Sequence, residues 1–338
     1  MTTEALAAAG LDPTGIAGGR VASWGGNTRI GGDAVFVVEA DEYDKSFLAL
    51  SAEVAVVNNV EADHLECYGT LEALEEAFAV FAGPARRVIA GADDPGARRV
   101  AARAGRPTWM VGVAAQADVR IADVRQAPEG SAASILLPGG KKAELRLRVP
   151  GLHNIRNAAA ALAVTLELEG NLGSALEALA AFRGVGRRFE VVGSAAAVTV
   201  VDDYAHHPTE IAATIEGARQ AYPGRRLVAV FQPHLFSRTA LHGAAMGRSL
   251  AEADVVVVTD VYAARESPIE GVTGAMVADA ARLAGAQVHW VADRKALVAE
   301  VASLVRTGDV VLTLGAGDVT AAGRELLARL AQRKGAAV

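Results

Sequence analysis

The chain has 338 residues, of which 51% are apolar and 21% charged, and its formal net charge is −6. That length predicts two domains, and the composition supplies packed cores and excludes a disordered chain. The negative balance offers no basic face for nucleic acid, and the single cysteine, Cys67, excludes an intramolecular disulfide and a cysteine-based metal cluster.

The start, Met1-Thr2-Thr3-Glu4-Ala5-Leu6, has neither the basic flank nor the apolar core of a secretory signal. No run reaches the roughly 18 apolar residues of a membrane span. A cytoplasmic protein without membrane insertion is expected. Residues 4–9 read as a helix stopped by Gly10, and the glycines from 18 to 32 read as a loop. Two apolar runs follow, 34–38 and 54–57, each suited to a parallel strand covered on both faces. A helix over 71–81 leads to a strand over 88–90 that ends in Asp93-Asp94-Pro95, a βαβ rhythm. Between 119 and 149 the pattern alternates, clearest in Ala143-Glu144-Leu145-Arg146-Leu147-Arg148-Val149, which predicts a small antiparallel insertion. Helices are expected over 154–169 and 174–182, and residues 183–188 read as a hinge. Beyond it, strands over 197–201, 227–231, 255–259 and 310–314 alternate with helices, the last over 321–333.

These four strands all run into polar residues: Asp202-Asp203-Tyr204-Ala205-His206-His207-Pro208, then Gln232-Pro233-His234-Leu235-Phe236-Ser237-Arg238, then Asp260-Val261-Tyr262, then Gly315-Ala316-Gly317-Asp318. Open α/β sheets bind ligands beyond the carboxyl ends of parallel strands, so one shared crevice is expected. A guanidinium captures a carboxylate in bidentate fashion, and a neutral imidazole accepts from an ammonium or amine. Arg238 with His206 and His234 therefore suits an amino acid. Taken singly, each histidine of the 206/207 pair has an equal explanation as a polar loop or core residue.

In the first half, the strand over 34–38 delivers Glu39-Ala40-Asp41-Glu42, the form of a Walker-B magnesium site, although strand-end carboxylates also serve as helix caps. The next strand ends in Asn58-Asn59-Val60-Glu61-Ala62-Asp63-His64, and this second polar cluster favours a site. The helix over 154–169 opens on His153-Asn154 and carries Asn157 one turn on. Asn154 reads as an N-cap. Asn157 is a poor helix former whose amide could meet an adenine edge.

These segments resemble the Mur ligase family, and within it the branch that adds L-alanine. The residues that carry the resemblance are Glu39 to Asp44, Val60 to His64, Gly151-Leu152-His153-Asn154-Ile155-Arg156-Asn157, Gly184 to Phe189, Asp202 to Glu210, Phe231-Gln232-Pro233-His234 and Thr259 to Ala264. They run in family order over nearly the whole chain. The segment around Tyr43 is shared with ligases that recycle a murein tripeptide, whereas 231–238 resembles the alanine-adding branch.

The resemblance implies an α/β chain of two parts. Residues 1–184 are a central P-loop-type ATPase domain, N-terminally truncated, with a parallel sheet and a small antiparallel insertion. Residues 185–338 are a Rossmann-like C-terminal domain that binds the amino acid. The implied reaction is ATP-dependent ligation of L-alanine to UDP-N-acetylmuramate through an acyl phosphate, in cytoplasmic peptidoglycan precursor synthesis. Glu42 and His64 are implied to hold Mg2+ and act with His206 in catalysis. His153, Asn154, Asn157, Arg188 and Asp203 are implied to bind ATP, and Tyr204, His206, His234 and Arg238 the alanine. Two features of the family, its own UDP-binding domain and a Gly-x-x-Gly-Lys-Thr-Thr P-loop, are not found in this sequence. A truncated ligase of weak or no activity is therefore expected, with a separate chain as one possible source of the missing region. Leu235 stands where some relatives carry Arg, and Lys45 has either a phosphate or Asp44 as its partner. The other readings are a non-catalytic remnant that binds an amino acid or partner, and a metal-dependent hydrolase.

Overall fold

The computed structural model describes residues 1–335. The chain divides into two compact units, residues 1–183 and the residues from Gly184 onward.

The first unit opens with α1 (Thr2–Ala8), β1 (Thr14–Val21), β2 (Gly26–Arg29) and β3 (Phe36–Val38). These three strands form a sheet of their own in the order β2-β1-β3. Two expectations are corrected here. The glycines from 18 to 32 lie mostly in a β-hairpin, turning at Gly25 with φ 69°, not in a loop. Glycine is tolerated in β1 because at Gly15 a Cβ would collide with the side chains of Thr3 and Trp24. The run over 34–38 shortens to β3, pairs parallel with β1, and leaves Phe36 61% exposed, so it is not covered on both faces.

The main sheet of this unit has the order β4-β5-β6-β7-β8-β9. Its strands are β4 (Val54–Val57), β5 (Arg87–Gly91), β6 (Thr108–Gly112), β7 (Val119–Ala127), β8 (Gly130–Leu136) and β9 (Lys142–Leu147). β4 to β7 pair in parallel and β7 to β9 antiparallel. The antiparallel insertion expected over 119–149 is thus β7 to β9, which continue the parallel sheet through the pairing of β6 with β7. Alternation in β8 and β9 buries Ala133, Ile135, Leu145 and Leu147 on one face. The helices α2 (Leu65–Tyr68), α3 (Leu71–Ala82), α4 (Pro95–Ala104), α5 (Leu152–Glu167) and α6 (Leu172–Ala181) cover the sheet. The unbroken run Ala158 to Val164 lets α5 lie close to it, and all seven residues are buried in the main core.

The second unit carries β10 (Glu190–Ala195), β11 (Val198–Asp203), α7 (Pro208–Ala221), β12 (Leu227–Phe231), α8 (Phe236–Leu250) and β13 (Val255–Thr259). It continues with α9 (Gly274–Leu283), β14 (Val288–Val291), α10 (Arg294–Leu304), β15 (Val310–Leu314) and α11 (Val319–Gly335). The sheet order is β10-β11-β15-β12-β13-β14, parallel except for β10. Successive side chains point to opposite faces. Val201, Ala229, Val256 and Leu312 pack with Ile211 of α7, Met246 of α8 and Val277 of α9, whereas Val200, Val228, Val257 and Val311 pack with Leu297 of α10 and Leu326 of α11. Each such buried aliphatic side chain contributes about 1.5–3 kcal/mol relative to exposure. The register aligns Asp203 with Leu314 and Leu314 with Phe231, so the carboxyl ends of β11, β15 and β12 finish level. β11 extends two residues past the apolar run, and Asp202 and Asp203 are strand residues only 2% and 7% exposed.

Candidate functional site

In the second unit, four aromatic side chains gather beyond the carboxyl ends of β11, β12 and β13. The rings of Tyr204 and His206 meet edge to face at 5.2 Å, His206 and His234 at 6.2 Å, and His234 stacks on Tyr262 at 5.7 Å with planes 13° apart. Arg238, in the first turn of α8 and 6% exposed, brings Nη1 to 3.4 Å from Nδ1 of His234. The structure therefore brings together all four residues expected to bind an amino acid.

Burial first, and then the positive field of Arg238, push the His234 imidazole down to about 4. It is a neutral acceptor at physiological pH. His206 is held differently: its Nδ1 lies 2.9 Å from the Tyr204 carbonyl and 3.3 Å from Oε2 of Glu210. That same oxygen accepts the N–H groups of His206 at 3.0 Å and His207 at 3.2 Å, tying the loop to the first turn of α7. Burial alone raises the Glu210 carboxyl, but His206 and Arg188 outweigh it and hold the group below the usual range. Arg188 reaches Glu210 at 3.2 Å and lies over the Tyr204 ring at 5.5 Å. The ring of His207 turns instead towards His242, 4.9 Å away.

The carboxylate of Asp203 accepts the N–H groups of Phe189 at 2.7 Å and Ala205 at 2.8 Å. Burial raises it to about 6. Its oxygens face the backbone of its own unit, so its observed contacts fix the loop that carries Tyr204. Asp202 receives Thr313 Oγ1 at 2.6 Å, Thr320 Oγ1 at 2.8 Å and Arg187 Nε at 3.2 Å. Arg187 also donates to the Gly315 carbonyl at 2.7 Å. The glycines of 315–317 are explained by close approach: a Cβ on Gly317 would stand 2.7 Å from Cγ of Tyr262. Tyr262, Glu210 and Arg187 were not singled out by sequence reasoning, although all three lie in the quoted segments.

In the first unit, Nε2 of His64 lies 3.8 Å from Glu42 and 3.9 Å from Asp63, and its ring meets that of Tyr43 at 5.1 Å. Tyr68 donates to the Glu42 carbonyl at 2.5 Å. Asp44, Lys45 and His64 hold positive φ of 54°, 59° and 52°, conformations that cost a non-glycine residue about 1–3 kcal/mol and cluster at functional sites. Lys45 places its ammonium 5.4 Å from the Tyr68 ring centroid. Burial, reinforced by Asp41 and Asp63, raises the Glu42 carboxyl. A half-buried carboxylate short of positive charge, with other oxygens beside it, fits a hard cation that keeps its waters, as Mg2+ does. Among the described residues no three His, Cys, Asp or Glu groups converge as a metal cage.

The first turn of α5 stands at the ends of β5 and β6. Arg156 pairs with Asp93 at 2.8 Å, and Asp93 also accepts from Val113 and Ala114 at 3.1 and 3.0 Å. The N-cap is Gly151, with φ 96°, and not Asn154. A Cβ there would meet the His153 ring, so the glycine is what lets the imidazole fold back over the helix start. Asn154 donates Nδ2 to the Pro150 carbonyl at 2.7 Å and lies 3.1 Å from His153 Nε2. Asn157, one turn on, is half-buried.

No helix of the described residues is long and apolar enough to cross a membrane. Residues 30–165 match the Mur ligase middle domain, and residues 187–317 match the Mur ligase, glutamate ligase domain. A UDP-N-acetylmuramate–L-alanine ligase of Kineococcus radiotolerans is 49% identical over 98% of this chain and 72% of its own length. One of Salinibacter ruber is 42% identical over 98% and 71%. The solved structure of the UDP-N-acetylmuramate-alanine ligase of Thermotoga maritima superposes with a TM-score of 0.80 at 28% identity, covering 98% of this chain and 72% of that one. Matches that run through both units at this level make the conclusion plain: the chain belongs to the Mur ligase family.

Proposed function

We propose that the chain catalyses ATP-dependent ligation of L-alanine to UDP-N-acetylmuramate in cytoplasmic peptidoglycan precursor synthesis. The observation that carries the reading is the cluster of His206, His234 and Arg238 at the level strand ends, in a chain alike to these ligases along 98% of its length. A guanidinium beside a neutral imidazole is the donor and acceptor pair that a small zwitterion needs.

A free carboxylate is a poor acylating agent, because hydroxide or oxide is a poor leaving group. Transfer of the γ-phosphoryl of ATP to the muramyl carboxylate supplies phosphate as leaving group. The alanine amine then attacks the acyl carbon, and the tetrahedral adduct expels phosphate. The amine must be neutral to attack. His206, whose Nδ1 is fixed by the Tyr204 carbonyl and Glu210, is the group we assign to take its proton. Arg238 and His234 orient the amino acid, and Tyr204 closes the side of the pocket next to His206.

In the first unit, Glu42 and His64 would hold Mg2+, which would supply positive charge to neutralise the transferring phosphoryl group. His153, Asn154 and Asn157 in the first turn of α5 face the adenine. Arg188 supplies positive charge for ribose or phosphate, while Asp203 acts by fixing the loop that bears Tyr204.

The test is phosphate release from ATP with UDP-N-acetylmuramate, L-alanine and Mg2+, each omitted in turn. Weak release that requires all four is the expected result. Alanine binding without release, both in this chain and in one carrying a UDP-binding domain and a Gly-x-x-Gly-Lys-Thr-Thr loop ahead of it, would overturn the ligase reading in favour of an amino-acid-binding protein.

A further inference from the structure

The two carboxylates that follow β5 have separate tasks. Asp94 is the N-cap of α4, and its Oδ1 accepts the N–H groups of Ala97 at 2.6 Å and Val60 at 3.1 Å. Asp93 reaches across the end of β6 instead. It accepts the N–H groups of Val113 at 3.1 Å and Ala114 at 3.0 Å, and Nε of Arg156, near the start of α5, at 2.8 Å. Gly112 makes room for it, since a Cβ there would stand 2.6 Å from Oδ1 of Asp93. One carboxylate thus ties together the end of β5, the loop after β6 and the start of α5.

The tie bears on the rotation of α5 about its axis. The helix has no side-chain cap at Gly151, and the run Ala158 to Val164 that seats it is mostly alanine and buried at every position. Small side chains alike on every face bring a helix close to its sheet without selecting one rotation, because unique packing needs side chains that differ in shape. The ion pair of Arg156 with Asp93 supplies the selection. Successive helical residues stand about 100° apart, so anchoring residue 156 fixes the direction of Asn157 beside it and of His153 and Asn154 before it.

We propose that Asp93 is the positioning residue of the adenine site, setting through Arg156 the direction in which Asn157 presents its amide and holding the loop after β6 to the same helix. The inference rests on the reading that the start of α5 meets the adenine, and deepens it. An amide offers a donor beside an acceptor, which matches the N6 and N7 edge of adenine, whereas guanine presents two acceptors there. A small rotation of α5 therefore costs base selectivity while the buried alanine run keeps the helix in place.

The experiment titrates AMP and GMP by saturation-transfer NMR against the wild type, D93N, R156M and R156K. AMP carries the base without the β- and γ-phosphates that a phosphate-binding loop would cradle, so the base site is read by itself. The wild type should prefer AMP. D93N keeps the shape of the side chain but sets an NH2 group among three donors, and R156M leaves both backbone bonds in place. Each should lower the preference for AMP over GMP about three- to tenfold, the scale of one neutral hydrogen bond, and R156K should recover part of it. Should D93N not fold, R156M decides. Variants that keep the wild-type preference, whatever their melting temperature, overturn the role of Asp93 and leave the ligase reading intact. A wild type that does not distinguish AMP from GMP overturns the adenine reading of α5 and this inference with it.

Discussion

Asp202 and Thr313 share a 2.6 Å hydrogen bond across 111 residues of chain. The bond locks β11 to β15 where the two strands finish, and Thr320 and Arg187 close on the same carboxylate. Asp202→Ala would strand a guanidinium and two hydroxyls around a buried gap. Breaking such a pair by removing one partner costs about 3–5 kcal/mol, and the part-exposed Arg187 places the expected loss at the low end. Urea unfolding of the D202A variant measures it; a change below the error of the method would show that the contact is incidental.

Gly317 is the second point on which the crevice depends. A methyl group there would press on the Tyr262 ring and on Oε1 of Gln232, which accepts from the Val319 N–H at 3.0 Å. Gly317→Ala should cost about 1–3 kcal/mol by overpacking and weaken L-alanine binding, because Tyr262 cannot move without disturbing His234. Gly271→Ala, where a Cβ meets nothing within 4 Å, is the control. Its positive φ strains the backbone without touching the site, so the two variants separate strain from steric displacement.

Strands β11, β12, β13 and β15 were legible because each carries an apolar run rich in valine and leucine, and such runs bury on both faces of a parallel sheet. Their polar ends were legible for the same reason, by contrast. What escaped was the inward turn of polarity. Asp202 and Asp203 read as loop because carboxylates avoid strands, and nothing local announces that Thr313, Thr320 and the Phe189 N–H wait for them. The hairpin of β1 and β2 was hidden by its glycines, of which Gly15 answers to the close approach of Thr3 and Trp24, Gly18 to that of Glu39, and only Gly25 to the turn. The edge strands β10 and β14 have no fully buried residue and carry no comparable signal.

His234 and Asp203 impose opposite slopes on stability against pH. The imidazole is lowered from 6.5 to about 4, so the unfolded chain binds the extra proton between those values. Its contribution is complete above pH 6.5 and is lost as pH falls towards 4. Asp203 is raised from 3.8 to about 6, so the folded chain holds the proton in that window, and the associated stability is lost as pH rises through 6. His234→Asn should therefore flatten the acid side of the stability profile, and Asp203→Asn should flatten the fall between pH 4 and 6. Thermal melts from pH 4 to 8 test both. The assignment fails for either residue whose variant runs parallel to the wild type.

Glu42 gives a prediction for the metal. Its carboxyl is raised by burial first and then by Asp41 and Asp63, with His64 opposing them. A cation beside it competes with a proton, so apparent Mg2+ affinity should fall as pH drops towards a value above the ordinary 4.5 of a glutamate. Glu42→Gln keeps the shape of the side chain and removes the charge. It should raise the Mg2+ concentration needed for half-maximal phosphate release by tenfold or more, an effect of about 1.4 kcal/mol, and abolish that acid dependence. A Glu42→Gln enzyme with wild-type Mg2+ dependence would move the metal away from Glu42. It would leave the carboxylate as a structural partner of His64, 3.8 Å from its Nε2.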